Sequence, residues 1–240
     1  MSIEISNGFT ITPNIRIVES GLVFNLQTAP STGTIWTDLS GNGYNAIISG
    51  SASYVSNNGG GIKLNNTLAN GGGADFISVP YNINSSTVTV EIVASFNPTG
   101  FWATIWGNES YTAGRGYLAF LQNANTIYYG KSTAIGNETI TASNSIRHWT
   151  FVINGTQHSL YLNGVQVGTT DTLAIQTLFT TNDFYFGSRH INAGTGHQDK
   201  LNSSISANQP VFYQMRVYNK ALSVAEITQN LNVVRGTYGI

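Results

Sequence analysis

The chain has no cysteine and little charge, and both shortages exclude whole classes of protein. Without cysteine there is neither a disulfide staple nor a thiolate metal site. Asp, Glu, Lys and Arg make up 9% of the 240 residues, against about 25% in an ordinary globular protein. The formal net charge is −1 and there is no run of Lys or Arg, so nothing would neutralise a phosphate backbone, and nucleic acid is not an expected partner. No stretch of about 18 apolar residues occurs, so no membrane-spanning helix is expected. The opening MSIEISNGFT has neither a basic start nor an apolar run, and no secretory signal is expected in it.

What remains is 41% apolar residues, enough to bury the core of one large domain. The polar surface must then be Asn, Ser, Thr, Gln and Gly, a composition of strands and turns rather than exposed helices. Six Asn-x-Ser/Thr triplets begin at Asn65, Asn84, Asn108, Asn137, Asn154 and Asn202. A chain this rich in Asn, Ser and Thr produces them by composition, so they carry no argument for glycosylation.

Alternation dominates the pattern. Val88, Val90, Ile92, Ala94 and Phe96 alternate with Thr89, Glu91, Val93 and Ser95, and Trp149, Phe151 and Ile153 share one face. Leu22, Phe24 and Leu26 do the same near the start. Asn163-Gly164 lies between two short alternating runs and predicts a type I′ hairpin. Further strands are expected at 117–121, 126–129, 183–186 and 211–218, with loops at the glycine clusters 59–61 and 71–73. After the last strand, Ser223 followed by Glu226 spells a capping box and predicts one short helix. Ile3, Ile5, Phe9 and Ile11 alternate weakly before Pro13, so residues 1–18 read as an arm or edge strand ahead of a domain at 19–240. Many short strands without a linker mean an all-β sandwich or jelly roll.

The segments WTDLSGNGYNA (36–46), FISVP (76–80), TVTVEIVASF (87–96), HWTFVINGTQHSLYLNGVQVGT (148–169), FYFGSR (184–189) and FYQMRVYNKALSVAEI (212–227) follow the order of a laminin-G-like domain. They resemble the concanavalin A-like jelly roll of lectins and glucanases across roughly residues 20–232, and the resemblance implies a two-sheet antiparallel jelly-roll sandwich with one concave and one convex sheet. The ending QNLNVVRGTYGI is similar to the tails of such domains in bacteriophage structural proteins. The resemblance implies a virion surface protein, a capsid decoration or fibre module, with other virion subunits and host or environmental glycans as partners and a homo-oligomer as one assembly. The alternatives are a free carbohydrate-binding module and a purely structural subunit. The arm at 1–18 would dock by adding a strand to a neighbour.

Glycoside hydrolysis needs two carboxylates about 5–10 Å apart. The hydrolase branch of this fold carries them as Glu-x-Asp-x-Glu on one strand. That pattern is missing, and Glu91 has Thr89 and Val93 as same-face neighbours, so no enzyme is expected. His148, His158, His190 and His197 lack a Gly-x-Ser-x-Gly elbow. Sugar binding instead wants aromatic faces, planar amides and a few charges. Two loops supply them: Trp102, Trp106, Glu109, Tyr111 and Arg115 in the first, and Arg189, His190, Asn192, His197 and Asp199 in the second. The tryptophans have a competing role as core, and Trp149 is core by its phase with Phe151 and Ile153. Calcium is the metal that oxygen donors favour. The resemblance points to Asp38 and Asn42 in DLSGNG and to Asp75. Asn208-Gln209-Pro210 stands where the family usually has an acidic residue before its last strand.

Overall fold

The computed structural model describes residues 3–4, 10–11, 15–66, 75–96, 103–108, 117–123, 125–131, 134–140, 143–173, 183–190, 197–198 and 209–240. In chain order the strands are β1 (Ile3–Glu4), β2 (Thr10–Ile11), β3 (Leu22–Leu26), β4 (Ile35–Trp36), β5 (Ala46–Ser49), β6 (Ser53–Val55) and β7 (Gly61–Lys63). Then come β8 (Phe76–Val79), β9 (Thr87–Phe96), β10 (Ala103–Gly107), β11 (Leu118–Asn123), β12 (Thr126–Lys131) and β13 (Ala134–Thr139). The series ends with β14 (Ser143–Asn154), β15 (Gln157–Leu162), β16 (Val165–Thr172), β17 (Phe184–Phe186), β18 (Arg189–His190), β19 (His197–Gln198) and β20 (Val211–Tyr218), followed by helix α1 (Val224–Tyr238).

Two antiparallel sheets of eight strands each form a jelly-roll sandwich. The first runs β13-β12-β11-β10-β17-β8-β5-β4. The second runs β16-β15-β14-β9-β20-β7-β6, with β3 continuing the same edge of β20 that β7 begins. The alternation in β9 has the expected consequence: Val88, Val90, Ile92, Ala94 and Phe96 enter the core between the sheets. Trp149, Phe151 and Ile153 join them from β14, opposite Ile77, Val79, Phe184 and Phe186 of the first sheet. Asn163 (φ 50°) and Gly164 (φ 78°) take the two positive φ values of the type I′ turn.

β20 is bulged, because its register against β9 shifts between Phe212 and Gln214. The extra residue lets Phe212 face the core while Tyr213 turns to the outer side. On that outer side lies α1. Its capping box is complete: Ser223 Oγ accepts the Glu226 N–H at 3.4 Å, and Glu226 Oε2 accepts the Ser223 N–H at 2.9 Å. Ile227, Leu231, Val234 and Tyr238 are buried against the sheet in two apolar clusters.

Between those clusters the sheet presents charge. Glu91 is 1% exposed, with Arg216 Nη1 3.9 Å and His148 Nε2 3.4 Å from its oxygens. Asn230 of α1 donates to Glu91 Oε2 at 2.8 Å and to the Tyr218 hydroxyl at 3.0 Å. Arg216 also donates to Gln214 and to Asn25. The helix clasps the incoming chain as well: Gln229 donates to the Arg16 carbonyl, and Asn230 Oδ1 accepts the Val18 N–H. Val18 is buried in an apolar cluster under α1, so the boundary expected between residues 18 and 19 falls inside a clasped stretch. Further out, β1 pairs with β2 as a small hairpin. Among the described residues no helix is long and apolar enough to cross a membrane.

Candidate functional site

Most of the residues expected to bind sugar, namely Trp102, Glu109, Tyr111, Arg115, Asn192 and Asp199, lie outside the described residues. Of His190 and His197 only the backbone is described, and the pairing of β18 with β19 sets the two opposite each other. The roots of the two loops are clear and separate. Gly107 pairs with Leu118, and Asn108 closes the neck of the first loop through both its backbone N–H and its side-chain oxygen to Tyr117. Gly187 instead bonds Ile105, which starts the second loop from the Ala103 end of β10. The loops therefore spring from opposite ends of one strand. The expectation for Trp106 needs correction. It is fully buried, stacked on Phe184 (5.5 Å, 9°) and edge-on to Phe151, so its ring offers no face to a ligand.

The three residues suggested for calcium do not converge. Asp38 Oδ1 accepts the N–H groups of Asn25 and Ser40, and Oδ2 accepts the Tyr44 N–H and the Ser40 hydroxyl. Burial works to raise its pKa, but these hydrogen bonds together outweigh it and hold the carboxyl below its usual value. Asn42 spends its amide on the carbonyls of Leu22 and Val23. Asp75 accepts from Ser51 and Asn65. It sits past the Ser49 end of β5, whereas the Asp38 turn sits at the Ala46 end, joined by Asn45. Each carboxylate organises its own turn. Among the described residues no three His, Cys, Asp or Glu side chains are grouped to hold a metal.

What the Asp38 turn does is shape one pole of the sandwich. It delivers Tyr44 to the start of β5, where Tyr81 arrives just beyond β8. The two rings meet edge-on at 5.3 Å, and Tyr81 leans on Phe24 at 6.1 Å. Together with Leu22, Val23, Asn42, Asn84 and Asn219 they line a cleft of about 430 Å³, within the roughly 300–1,000 Å³ of ligand sites. Asn84 and Asn219 are exposed, and their amides make no hydrogen bond to described residues. Burial, with the neighbouring Tyr44 phenol, pushes the Tyr81 hydroxyl up, so it stays a neutral donor. Among the described residues no charged side chain lines this cleft. The first loop starts from the same pole, since Gly107 and Tyr185 pair there beside Ser78 and Ile47. Nothing in the sequence marked Tyr81, a lone aromatic after Pro80; the resemblance marked the 36–46 turn for a metal instead.

The topology also gathers titratable groups that the chain scatters. Glu138 on β13 and Asp171 on β16 meet where the free edges of the two sheets touch. Burial and then the Asp171 charge push the Glu138 carboxyl up, against the pull of the Thr169 N–H. Tyr129 donates its phenol to Asp171 at 3.0 Å. Burial lowers the nearby His158. This pair is tied across the sheet junction and lines neither the tyrosine cleft nor a groove beside it.

The concanavalin A-like lectin/glucanases superfamily matches by sequence at residues 71–228, about two thirds of the chain. No curated protein matches by sequence. Solved structures similar in fold include the binding domain of Paraclostridial Mosquitocidal Protein 1, 19% identical with a TM-score of 0.66 over 90% of this chain and 52% of that one. Another is the binding domain of botulinum neurotoxin DC in complex with rat synaptotagmin II, 15% identical, TM-score 0.65, over 89% and 52%. A third belongs to botulinum neurotoxin type C, whose cell entry depends upon interaction with two ganglioside molecules, 12% identical, TM-score 0.65, over 89% and 51%. The chain spans about half the length of each. At these identities the likeness concerns the fold alone. The chain belongs to the concanavalin A-like lectin/glucanases superfamily.

Proposed function

We propose that this chain is a non-enzymatic, lectin-like module that binds neutral glycans in the Tyr44–Tyr81 cleft. The observation that carries the reading is the lining itself: two tyrosine rings, free planar amides on Asn84 and Asn219 and, among the described residues, no ionised side chain. Sugar hydroxyls pair with planar amides, and C–H faces pack on aromatic rings. The absence of charge among the described lining residues favours neutral ligands over sialylated or phosphorylated ones. Two structural neighbours bind a protein and a ganglioside by their own descriptions, in keeping with a binding rather than a catalytic use of the fold. Among the described residues the carboxylate pair Glu138 and Asp171 is engaged with Thr169 and Tyr129 away from the cleft, which is in keeping with a non-catalytic reading. A glycan-array screen of the purified protein, with calcium and with chelator, tests it. Specific binding to neutral glycans, unchanged by chelator, is expected. No binding to any glycan would leave a structural subunit, and turnover of a polysaccharide would revive a hydrolase.

The setting we infer is a virion surface, as a capsid decoration or fibre protein. Low charge, absence of cysteine and the phage-like ending support that setting. The N-terminal arm is the docking element in this reading. Because Val18 is buried under α1, the informative truncation stops after Asn14. It should keep the melting temperature and lose particle attachment. Retained attachment would sink the arm's role.

A further inference from the structure

The tyrosine cleft does not end at Asn42. Beyond that residue lies a recess of about 340 Å³, and Leu22 and Asn42 line both spaces. The two are neighbours that share a wall, and Asn42 is a fixed part of it. Its side-chain amide donates to the Leu22 and Val23 carbonyls at 3.1 and 2.8 Å, and its backbone N–H donates to Ser40 Oγ at 3.2 Å. The residue is exposed, and its Oδ1 makes no hydrogen bond to described residues. A held acceptor thus stands between the two spaces.

The recess differs from the cleft in chemistry. Ile17, Leu22 and Leu39 give it an aliphatic side. Ile17 and Leu22 are half-buried, and Leu39 is 53% exposed, one of the large apolar side chains left open to solvent. The backbone holds Leu39 there, because its N–H donates to the Asn25 carbonyl at 2.9 Å. Glu19 also lines the recess, and its side chain makes no hydrogen bond or ion pair to described residues. A carboxylate accepts and does not donate. The recess therefore suits a neutral substituent that joins a small apolar end to an N–H donor, and disfavours an anionic one.

We propose that this recess seats the acetamido group of an N-acetylhexosamine whose ring lies in the Tyr44–Tyr81 cleft. The inference rests on the sugar-binding reading of that cleft and narrows it to glycans carrying N-acetylhexosamine. The acetamido N–H donates to Asn42 Oδ1 at the shared wall. The methyl packs on Leu22, Leu39 and Ile17, and Glu19 accepts a hydroxyl of the adjoining sugar. One methyl in an apolar pocket discriminates by about 10–200-fold, and an open recess belongs at the low end of that range.

The test is calorimetric titration of the full chain with matched disaccharides: cellobiose against N,N′-diacetylchitobiose, and lactose against N-acetyllactosamine. In a pair that binds, the N-acetylated member should bind at least tenfold more tightly. Leu39→Ser should remove most of that preference. It changes an exposed side chain and keeps the backbone bond, so the affinity for the unacetylated member and the melting temperature should stay as in wild type. If neither pair binds, the comparison passes to the best glycan from the array and its counterpart with a hydroxyl in place of the acetamido group. Equal affinities within a pair, a preference that Leu39→Ser leaves intact, or array binding confined to glycans without acetamido groups overturns the acetamido recess alone. Silence from every glycan overturns it together with the proposed function.

Discussion

Asn230 is the residue on which helix α1, the second sheet and the N-terminal segment all depend. It is fully buried. One amide makes three hydrogen bonds: to Glu91 Oε2 (2.8 Å), to the Tyr218 hydroxyl (3.0 Å) and from the Val18 N–H (2.7 Å). A bond to a charged group contributes about 1.5–3 kcal/mol and a neutral one about 0.5–1.5 kcal/mol. Asn230→Ala should therefore cost about 3–5 kcal/mol, since it also leaves the Val18 N–H and a Glu91 oxygen short of a partner in a dry layer. In equilibrium urea denaturation, with m near 3 kcal/mol per M, the midpoint should fall by about 1–1.7 M. Asn230→Leu restores the volume but not the bonds, and should recover less than half of the loss. Hydrogen exchange should show the Val18 amide losing protection first. A midpoint drop under about 0.3 M, with Val18 still protected, would refute the reasoning and leave α1 held by its apolar clusters alone.

Trp106→Ala should cost about 3–5 kcal/mol in the same assay, as a large core truncation; normal stability would mean that the ring is at the surface after all. Glu138 has a raised carboxyl pKa, so the folded state holds its proton longer than the unfolded one. The contribution is present at low pH and is lost as pH rises from the ordinary value of 4.5 through the folded one. Glu138→Gln should accordingly raise the melting temperature at pH 7 and change it little at pH 4; an equal shift at both would contradict this. Asp38 has the opposite sign: its lowered pKa gives stability above 3.8 that is lost as pH falls through the folded value. Asp38→Asn should cost about 2 kcal/mol at pH 7 through its lost charged acceptor and flatten the acid limb of the stability profile.

The strands most visible in the sequence are those with one face in the core and one face outside it. β9 alternates because α1 allows Thr89 and Glu91 on its outer side, and the Asn163-Gly164 turn and capping box are local chemistry. β10 is different. All five of its residues are buried, so Ala103 to Gly107 shows no period and Trp106 could be mistaken for a loop aromatic. The bulge in β20 likewise breaks its alternation. The proposed binding pole was not legible because it is assembled from three turns: Tyr44, Tyr81 with Asn84, and Asn219 come from segments that only the sheet order brings together. The same holds for Glu138 and Asp171, which sit on edge strands of different sheets. Glu91 looked isolated because its partners, His148, Arg216 and Asn230, lie on three other elements.

The most direct measurement of the central claim is the affinity of wild type, Tyr81→Phe and Asn84→Ala for the best neutral glycan from the array, with melting temperatures beside it. Asn84 is exposed and its amide makes no hydrogen bond to described residues, so its loss should leave the fold untouched. The account predicts at least tenfold weaker binding at this pole for each variant, with Asn84→Ala melting as wild type does. Unchanged affinity in both variants would contradict it and move the glycan site away from the Tyr44–Tyr81 cleft.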